Sequence, residues 1–225
     1  MKRAIYFTSL ILLFLTACSK TDTYDLPNET LIGVLEDADG NPYITEQPNG
    51  FQIKIIENGS TTPREFWGMA DGKFNNTKIF KGTYKIVPVN GAFFPVDTVT
   101  REISGVTNLN FTITPYLKID AAISQYGPDL KAVYKISQAP GAGKITNVRI
   151  LINKWNPAVG MNFSDKSVTR DLSGTPDATV VQTEYTDMVT DYLESGVTYY
   201  ARVAVLSENS LGKYNFSTVS KIVVP

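Results

Sequence analysis

Ser210 and Lys213 stand at the Ser-x-x-Lys spacing at which a lysine can accept the proton of a serine nucleophile. The companion Ser-Asp-Asn and Lys-Thr-Gly motifs are absent, and Ser210-Leu211-Gly212-Lys213 falls in an expected hairpin loop, so a turn is the favoured reading. The chain has no histidine and a single cysteine, Cys18. Ser-His-Asp and Cys-His catalysis are thereby excluded, and zinc loses its usual nitrogen and sulfur ligands. A glycosidase needs two carboxylates roughly 5 to 9.5 Å apart across a cleft, and nothing in the spacing of Asp37, Asp39, Glu65 and Asp97 pairs them. Asp37-Ala38-Asp39-Gly40-Asn41 offers oxygens at alternate positions, as a calcium loop does. Its glycine comes too early, however, and Pro48 stands where a bidentate glutamate belongs, so an Asp-Gly β-turn is favoured. No catalytic residue, metal or cofactor is expected.

Binding chemistry then falls to aromatic rings, whose faces stack on the apolar faces of sugars. Between Val148 and Trp155 the alternation puts Val148, Ile150 and Ile152 on a core face and Arg149, Leu151, Asn153 and Trp155 on the other. Asn156-Pro157 ends that strand, which places Trp155 at a loop mouth with Met161 and Phe163 nearby. The competing reading has Trp155 packed on the core or on another domain. Trp67, in a strand with apolar residues on both faces, is a second candidate. Phe93-Phe94-Pro95 forms either an exposed platform or a plug in the end of a sandwich.

The segments that position these residues begin with an export signal. Met1-Lys2-Arg3 is basic, and the apolar run from Ala4 to Ala17 is shorter than the roughly 20 residues that span a bilayer. Leu15-Thr16-Ala17-Cys18 resembles the bacterial lipobox, which implies cleavage after residue 17 and diacylation of Cys18 as a lasting membrane anchor. Residues 18–28 are polar and aperiodic and read as a lipidated tether. The whole chain carries a net charge of −1, and loss of Lys2 and Arg3 makes the remainder more acidic. With lysines scattered among acidic residues it offers no nucleic-acid platform.

The rest reads as all-β: short Val, Ile, Tyr, Phe and Thr runs punctuated by Asp39-Gly40, Asn58-Gly59, Asp71-Gly72 and Asn90-Gly91. Val197, Tyr199, Ala201, Val203 and Val205 alternate with Thr198, Tyr200 and Arg202, the pattern of a half-buried antiparallel strand. Phe51, Ile53 and Ile55, and Leu117, Ile119, Ala121 and Ile123, repeat it. We therefore expect two antiparallel β-sandwich domains in tandem, residues 29–114 and 115–225, behind the signal peptide and tether.

Gly33-Val34, Asp39-Gly40-Asn41-Pro42, Asp71-Gly72-Lys73-Phe74 and Gly82-Thr83-Tyr84 follow the order of turns and strands of the carboxypeptidase-regulatory or transthyretin-like sandwich, which residues 29–114 resemble. Leu193 to Val203 resembles the fibronectin type III stretch in which a tyrosine, here Tyr199, caps a corner between strands. The two together behind a lipobox resemble a Bacteroidetes lipoprotein family of unknown function, DUF3823. That resemblance implies a place beside outer-membrane glycan importers and their substrate-binding lipoproteins. The expected function is that of a non-catalytic lipoprotein of the outer membrane, at the cell surface or facing the periplasm. It would contribute a glycan-binding or partner-docking surface to polysaccharide acquisition through Trp155, Phe163, Trp67, Phe93 and Phe94. A structural, adhesive or fimbrial-type subunit is the alternative, and a glycan-active enzyme is the third.

Overall fold

A computed structural model describes residues 26–225, so the expectations for the signal peptide, for Cys18 and for the tether as far as Asp25 lie outside the described residues. The described residues form four sheets. Near the N-terminus, β1 (Glu29–Glu36) lies between β4 (Lys73–Ile79) and β7 (Val106–Asn108), with β8 (Phe111–Thr112) also on β1. The facing sheet runs β3 (Arg64–Trp67), β2 (Gln52–Glu57), β5 (Gly82–Val89) and β6 (Val99–Ile103). The first sheet is mixed: β1 is antiparallel to β4 but parallel to β7 and β8, a departure from the all-antiparallel expectation. Strand alternation sends Leu31, Leu35, Phe51, Ile53, Phe74, Tyr84, Ile86 and Ile103 into one core. Gly33 sits where a Cβ would come within 1.9 Å of the Leu109 carbonyl oxygen, which explains the glycine of the Gly-x-Val pattern.

The second sandwich has a three-stranded sheet of β9 (Leu117–Tyr126), β10 (Asp129–Gln138) and β13 (Tyr185–Val189). It packs on β12 (Lys166–Asp171), β11 (Ile145–Lys154) and β14 (Thr198–Ser207), with β15 (Tyr214–Phe216) and β16 (Ser220–Val223) sharing the outer side of β14. Pairings in both sheets are antiparallel, and the chain changes sheets between β10 and β11, between β12 and β13 and again between β13 and β14, a fibronectin-like arrangement. One short helix, α1 (Asp177–Val180), adds Val180 to the core of Tyr134, Ile136, Val148, Ile150, Ile152, Tyr199, Ala201, Val203 and Val205. Tyr199 makes the corner contact: its hydroxyl donates to the Tyr192 carbonyl at 3.2 Å and accepts the Glu194 N–H at 3.0 Å.

The half-buried reading of Val197 to Leu206 needs correction, because β14 is covered on both faces. Arg202 and Ala204, on the face opposite Tyr199, are fully buried. A second apolar layer of Leu151, Val159, Ala204 and Phe216, with Met161, Tyr200 and Tyr214, lies over that outer face. Loop residues Val159 and Met161 and the N-terminal segment around Thr45 and Glu46 supply the cover, which no local pattern announces.

Candidate functional site

The segment that follows β11 turns on Trp155. Its φ is +70°, and the Asn156 N–H donates to the Lys154 carbonyl at 2.9 Å, an i to i+2 bond that closes a γ-turn of the rare positive-φ type. A bulky residue in this region costs on the order of 1–3 kcal/mol and persists only where its surroundings hold it. Here the Trp155 N–H is tied to the Thr198 carbonyl at 3.1 Å, and the Asp165 carboxylate accepts the Lys154 N–H at 2.6 Å. The ring is 64% exposed. Exposure of Trp155 at a loop mouth thus follows the alternation of β11, whereas its face-mates Leu151 and Asn153 are buried under the second layer.

The other aromatic candidates do not gather around it. Phe163 is on the same loop and half-exposed, its backbone paired with Gly160 and its carbonyl accepting from the Asn153 amide. Trp67 ends edge strand β3, with the Lys213 ammonium 5.7 Å from its ring. Lys213 precedes Tyr214, which pairs with Leu206 at one end of β14, while Trp155 bonds Thr198 at the other, so the two tryptophans are roughly 27 Å apart along the strand. Phe93 is a plug: it is buried edge-on against Tyr43, with ring centroids 5.4 Å apart, and is corrected as a ligand contact. Phe94 is half-buried against Tyr116 at 4.9 Å and belongs with the packing between the sandwiches.

That packing is a polar seam. Asn215 donates to the Ala92 carbonyl at 2.8 Å and accepts the Leu117 N–H, while the Ala92 N–H donates to the Tyr43 hydroxyl, whose pKa burial pushes up to about 12. Asp37 takes the Asp39 and Asn41 N–H groups in the expected Asp-Gly turn and also pairs with Lys118 at 2.6 Å. Burial would raise its carboxyl, but hydrogen bonds from Lys118, Asn41 and Asp39 outweigh this and hold it at about 2. The Ser-x-x-Lys lysine, Lys213, donates to the Asn49 carbonyl at 2.6 Å, so it is a seam contact. At the centre, Arg202 is 1% exposed, donates to the Thr45 carbonyl at 2.7 Å and stacks 4.0 Å above Phe216. Its Nε and Nη2 have no partner, and burial lowers its pKa to about 10. Glu46 accepts the Met161 N–H at 2.8 Å; burial raises its carboxyl, opposed by that bond and by the charges of Arg202 and Lys213.

Two features escaped the sequence reading. Tyr126, 64% exposed at the tip between β9 and β10, was signalled only by an aromatic next to Gly127-Pro128. Arg202 looked like the polar half of an alternating strand, with nothing local to mark its burial.

Residues 30–114 match the N-terminal domain of DUF3823, a protein of unknown function. A DUF3823 family protein from Bacteroides uniformis superposes with a TM-score of 0.78 at 21% identity, over 88% of this chain and 100% of that one. A structure from the same species, described as a "putative carbohydrate binding protein", gives the same values of 0.78, 21%, 88% and 100%. A DUF3823 family protein from Parabacteroides merdae gives 0.64 at 23% identity, over 88% and 100% of the two chains. At these identities the likeness is one of fold. No curated protein matches the chain.

Proposed function

We propose that this DUF3823-like chain is a non-catalytic envelope lipoprotein, anchored through Cys18, that holds a glycan at the pole carrying Trp155 as an accessory to outer-membrane polysaccharide acquisition. The observation that carries the reading is Trp155 itself, a tryptophan 64% exposed on a strained turn. Exposure of so large an apolar ring forgoes burial worth about 2 kcal/mol, and the turn adds a backbone cost, so contact with a ligand is the compensating role. The Bacteroides uniformis relative named for carbohydrate binding supports the same class. The absence of histidine from the chain supports binding over turnover.

Position supports it too. β1 starts at Glu29 and reaches the seam at Asp37, and β9 leaves the seam at Lys118 and runs away from it to Tyr126. The Trp155 pole is thus the end of the chain of contacts farthest from Glu29, where β1 begins. Retention of wild-type protein and a Trp155→Ala variant on a panel of polysaccharide affinity gels tests the reading. Retardation of the wild type, lost in the variant, is expected; no retardation of either ends the direct-binding reading. Radiolabelled palmitate incorporation that disappears in Cys18→Ser tests the anchor, and protease accessibility on intact cells tests which face of the membrane it occupies.

A further inference from the structure

The outer face of the first sandwich carries an aromatic and polar cluster whose members the strand register places side by side. In β3 the side chain of Phe66 packs on the core, so Trp67 takes the outer face, where its ring is 42% exposed. Trp67 pairs with Gln52 of β2, and Gln52 pairs with Val89 of β5, so the three lie in one row across adjacent strands. Asn90 follows in a positive-φ turn, and its amide donates to the Gln52 Oε1 at 2.6 Å. The second sandwich contributes Lys213 from its β14–β15 hairpin. The Lys213 ammonium stands 5.7 Å from the Trp67 ring centroid and donates to the Asn49 carbonyl at 2.6 Å. Asn209 holds that hairpin: its side-chain oxygen accepts the Leu211 and Lys213 N–H groups, and its amide donates to the Ser207 and Lys213 carbonyls. Among the described residues, Gln52 Nε2 and Asn90 Oδ1 take no hydrogen bond and Lys213 forms no ion pair.

From this arrangement we infer that Trp67 is the floor of a second sugar-binding site, built by both sandwiches, that takes a single pyranose unit with free vicinal hydroxyls. The inference rests on the glycan reading above and adds a site at the opposite end of β14 from Trp155. The apolar face of a pyranose lies on the exposed indole. Adjacent strands stand roughly 4.8 Å apart, which puts the Gln52 amide at the rim of a ring stacked there. Gln52 Nε2 and the unspent N–H groups of Lys213 donate, and Asn90 Oδ1 accepts. Vicinal hydroxyls, each able to give and to take a hydrogen bond, satisfy both kinds of group. Beyond Gln52 the row ends in Val89, which offers no such group, so the site holds one unit. The Asn90–Gln52 bond and the Asn209-held hairpin fix the site before a ligand arrives, so little ordering cost accompanies binding. A polysaccharide gel offers many chains at once, and two sites on one protein reinforce each other there, so loss of either lowers retention.

Trp67 and Trp155 are the only tryptophans in the sequence, so the two indole N–H signals of a proton–nitrogen correlation spectrum report the two sites separately. Trp67→Phe and Trp155→Phe assign the signals. The full chain is titrated with gluco-, xylo-, manno- and galacto-trisaccharides. The Trp67 signal is expected to shift with at least one of them and to keep shifting in Trp155→Ala. Gln52→Ala and Lys213→Met should each weaken that response about fivefold. The Trp155 signal and its response should stay unchanged in both, which also verifies their fold. A Trp67 signal that stays still while the Trp155 signal moves overturns the second site and leaves the glycan reading standing. A Trp67 response that neither Gln52→Ala nor Lys213→Met alters overturns the site built by both sandwiches. Movement of the Trp67 signal alone supports the second site and removes Trp155 from the glycan reading. If neither signal moves with any of the four sugars, the second site and the glycan reading both fall.

Discussion

Replacing Arg202 by alanine removes the centre of the seam. The side chain is 1% exposed, its Nη1 donates to the Thr45 carbonyl at 2.7 Å, and its guanidinium stacks 4.0 Å above Phe216. Truncation orphans the Thr45 carbonyl, for about 1–3 kcal/mol, and opens a void over Phe216. It also leaves the Glu46 carboxylate, already disfavoured by burial, with Lys213 as its remaining cation. Breaking a buried charge partnership typically costs about 3–5 kcal/mol. Arg202 and Glu46 make no direct ion pair, and Nε and Nη2 of Arg202 go unpaired in the native state, so the lower end applies. We expect Arg202→Ala to destabilise the protein by about 3 kcal/mol, or about 6–12 °C in Tm for a chain of this size. Arg202→Met keeps the volume over Phe216 and discards the unpaired N–H groups, so it should cost about 1–2 kcal/mol less than alanine. Adding Glu46→Gln to the methionine variant removes the stranded charge and should recover about 1 kcal/mol relative to additivity. Urea unfolding of the wild type, these three variants and Glu46→Gln alone, followed by tryptophan fluorescence and far-ultraviolet circular dichroism, measures all of this. An alanine variant within about 1 kcal/mol of wild type, or a methionine variant no better than alanine, would refute the assignment of Arg202 as the seam's anchor.

At position 155, asparagine tolerates the positive-φ turn and alanine does not, so Trp155→Asn should be more stable than Trp155→Ala by about 0.5–1 kcal/mol although both lose glycan retention. Equal stabilities in thermal melts would mean that the turn stores no strain. Asp37 is held at about 2 in the folded chain against its ordinary 3.8, so its stabilisation is fully present above about pH 4 and is lost as pH falls through about 2. Discounted for the half-exposed Lys118, this is worth about 1–2 kcal/mol, and Asp37→Asn should flatten the urea midpoint over that window. Glu46 has the opposite sign: its raised pKa makes protonation favour the fold, so lowering the pH toward 4.5 adds stability that Glu46→Gln should abolish. Gly33→Ala drives a Cβ to 1.9 Å from the Leu109 carbonyl oxygen and 2.6 Å from the Phe74 ring, and should cost about 3 kcal/mol or more, read as lost soluble expression or a lowered melting point.

The strands were legible because a single alternation fixes which side chains enter a core, and Leu31, Ile53, Ile86 and Val203 obey it without exception. The Asp-Gly turn at Asp37 and the corner at Tyr199 were legible for a similar reason, since each is settled within a few residues. What the sequence withheld is whatever depends on distant chain. Leu151 and Asn153 occupy the outward face that alternation assigns them, yet they are buried because Val159 folds back over them. Phe93 is a plug because Tyr43, fifty residues earlier, supplies the ring it packs on. The parallel pairing of β1 with β7 and β8 is likewise a long-range choice, and the same strand pattern permits either sense.

Loop geometry also limits where a ligand can be held. A β-sandwich offers two sets of connecting loops, one at each end, and here the seam occupies one end of the first sandwich and, on the second, one end together with the outer face of β14 around Arg202. Thr45, Glu46 and Asn49 from the β1–β2 connection and Ala92 from the β5–β6 connection bond across it to Arg202, Met161, Lys213 and Asn215. The far end of the first sandwich carries Glu29, where β1 begins. The free set is the β9–β10 tip, the Trp155 turn and the Asp191–Val197 connection. Two exposed aromatics and two positive-φ residues outside glycine, Trp155 and Asp191, fall within that set. Binding there leaves the seam intact, so variants at Trp155 should change ligand retention without the stability loss that Arg202→Ala produces. That separation is what the paired measurements are built to detect.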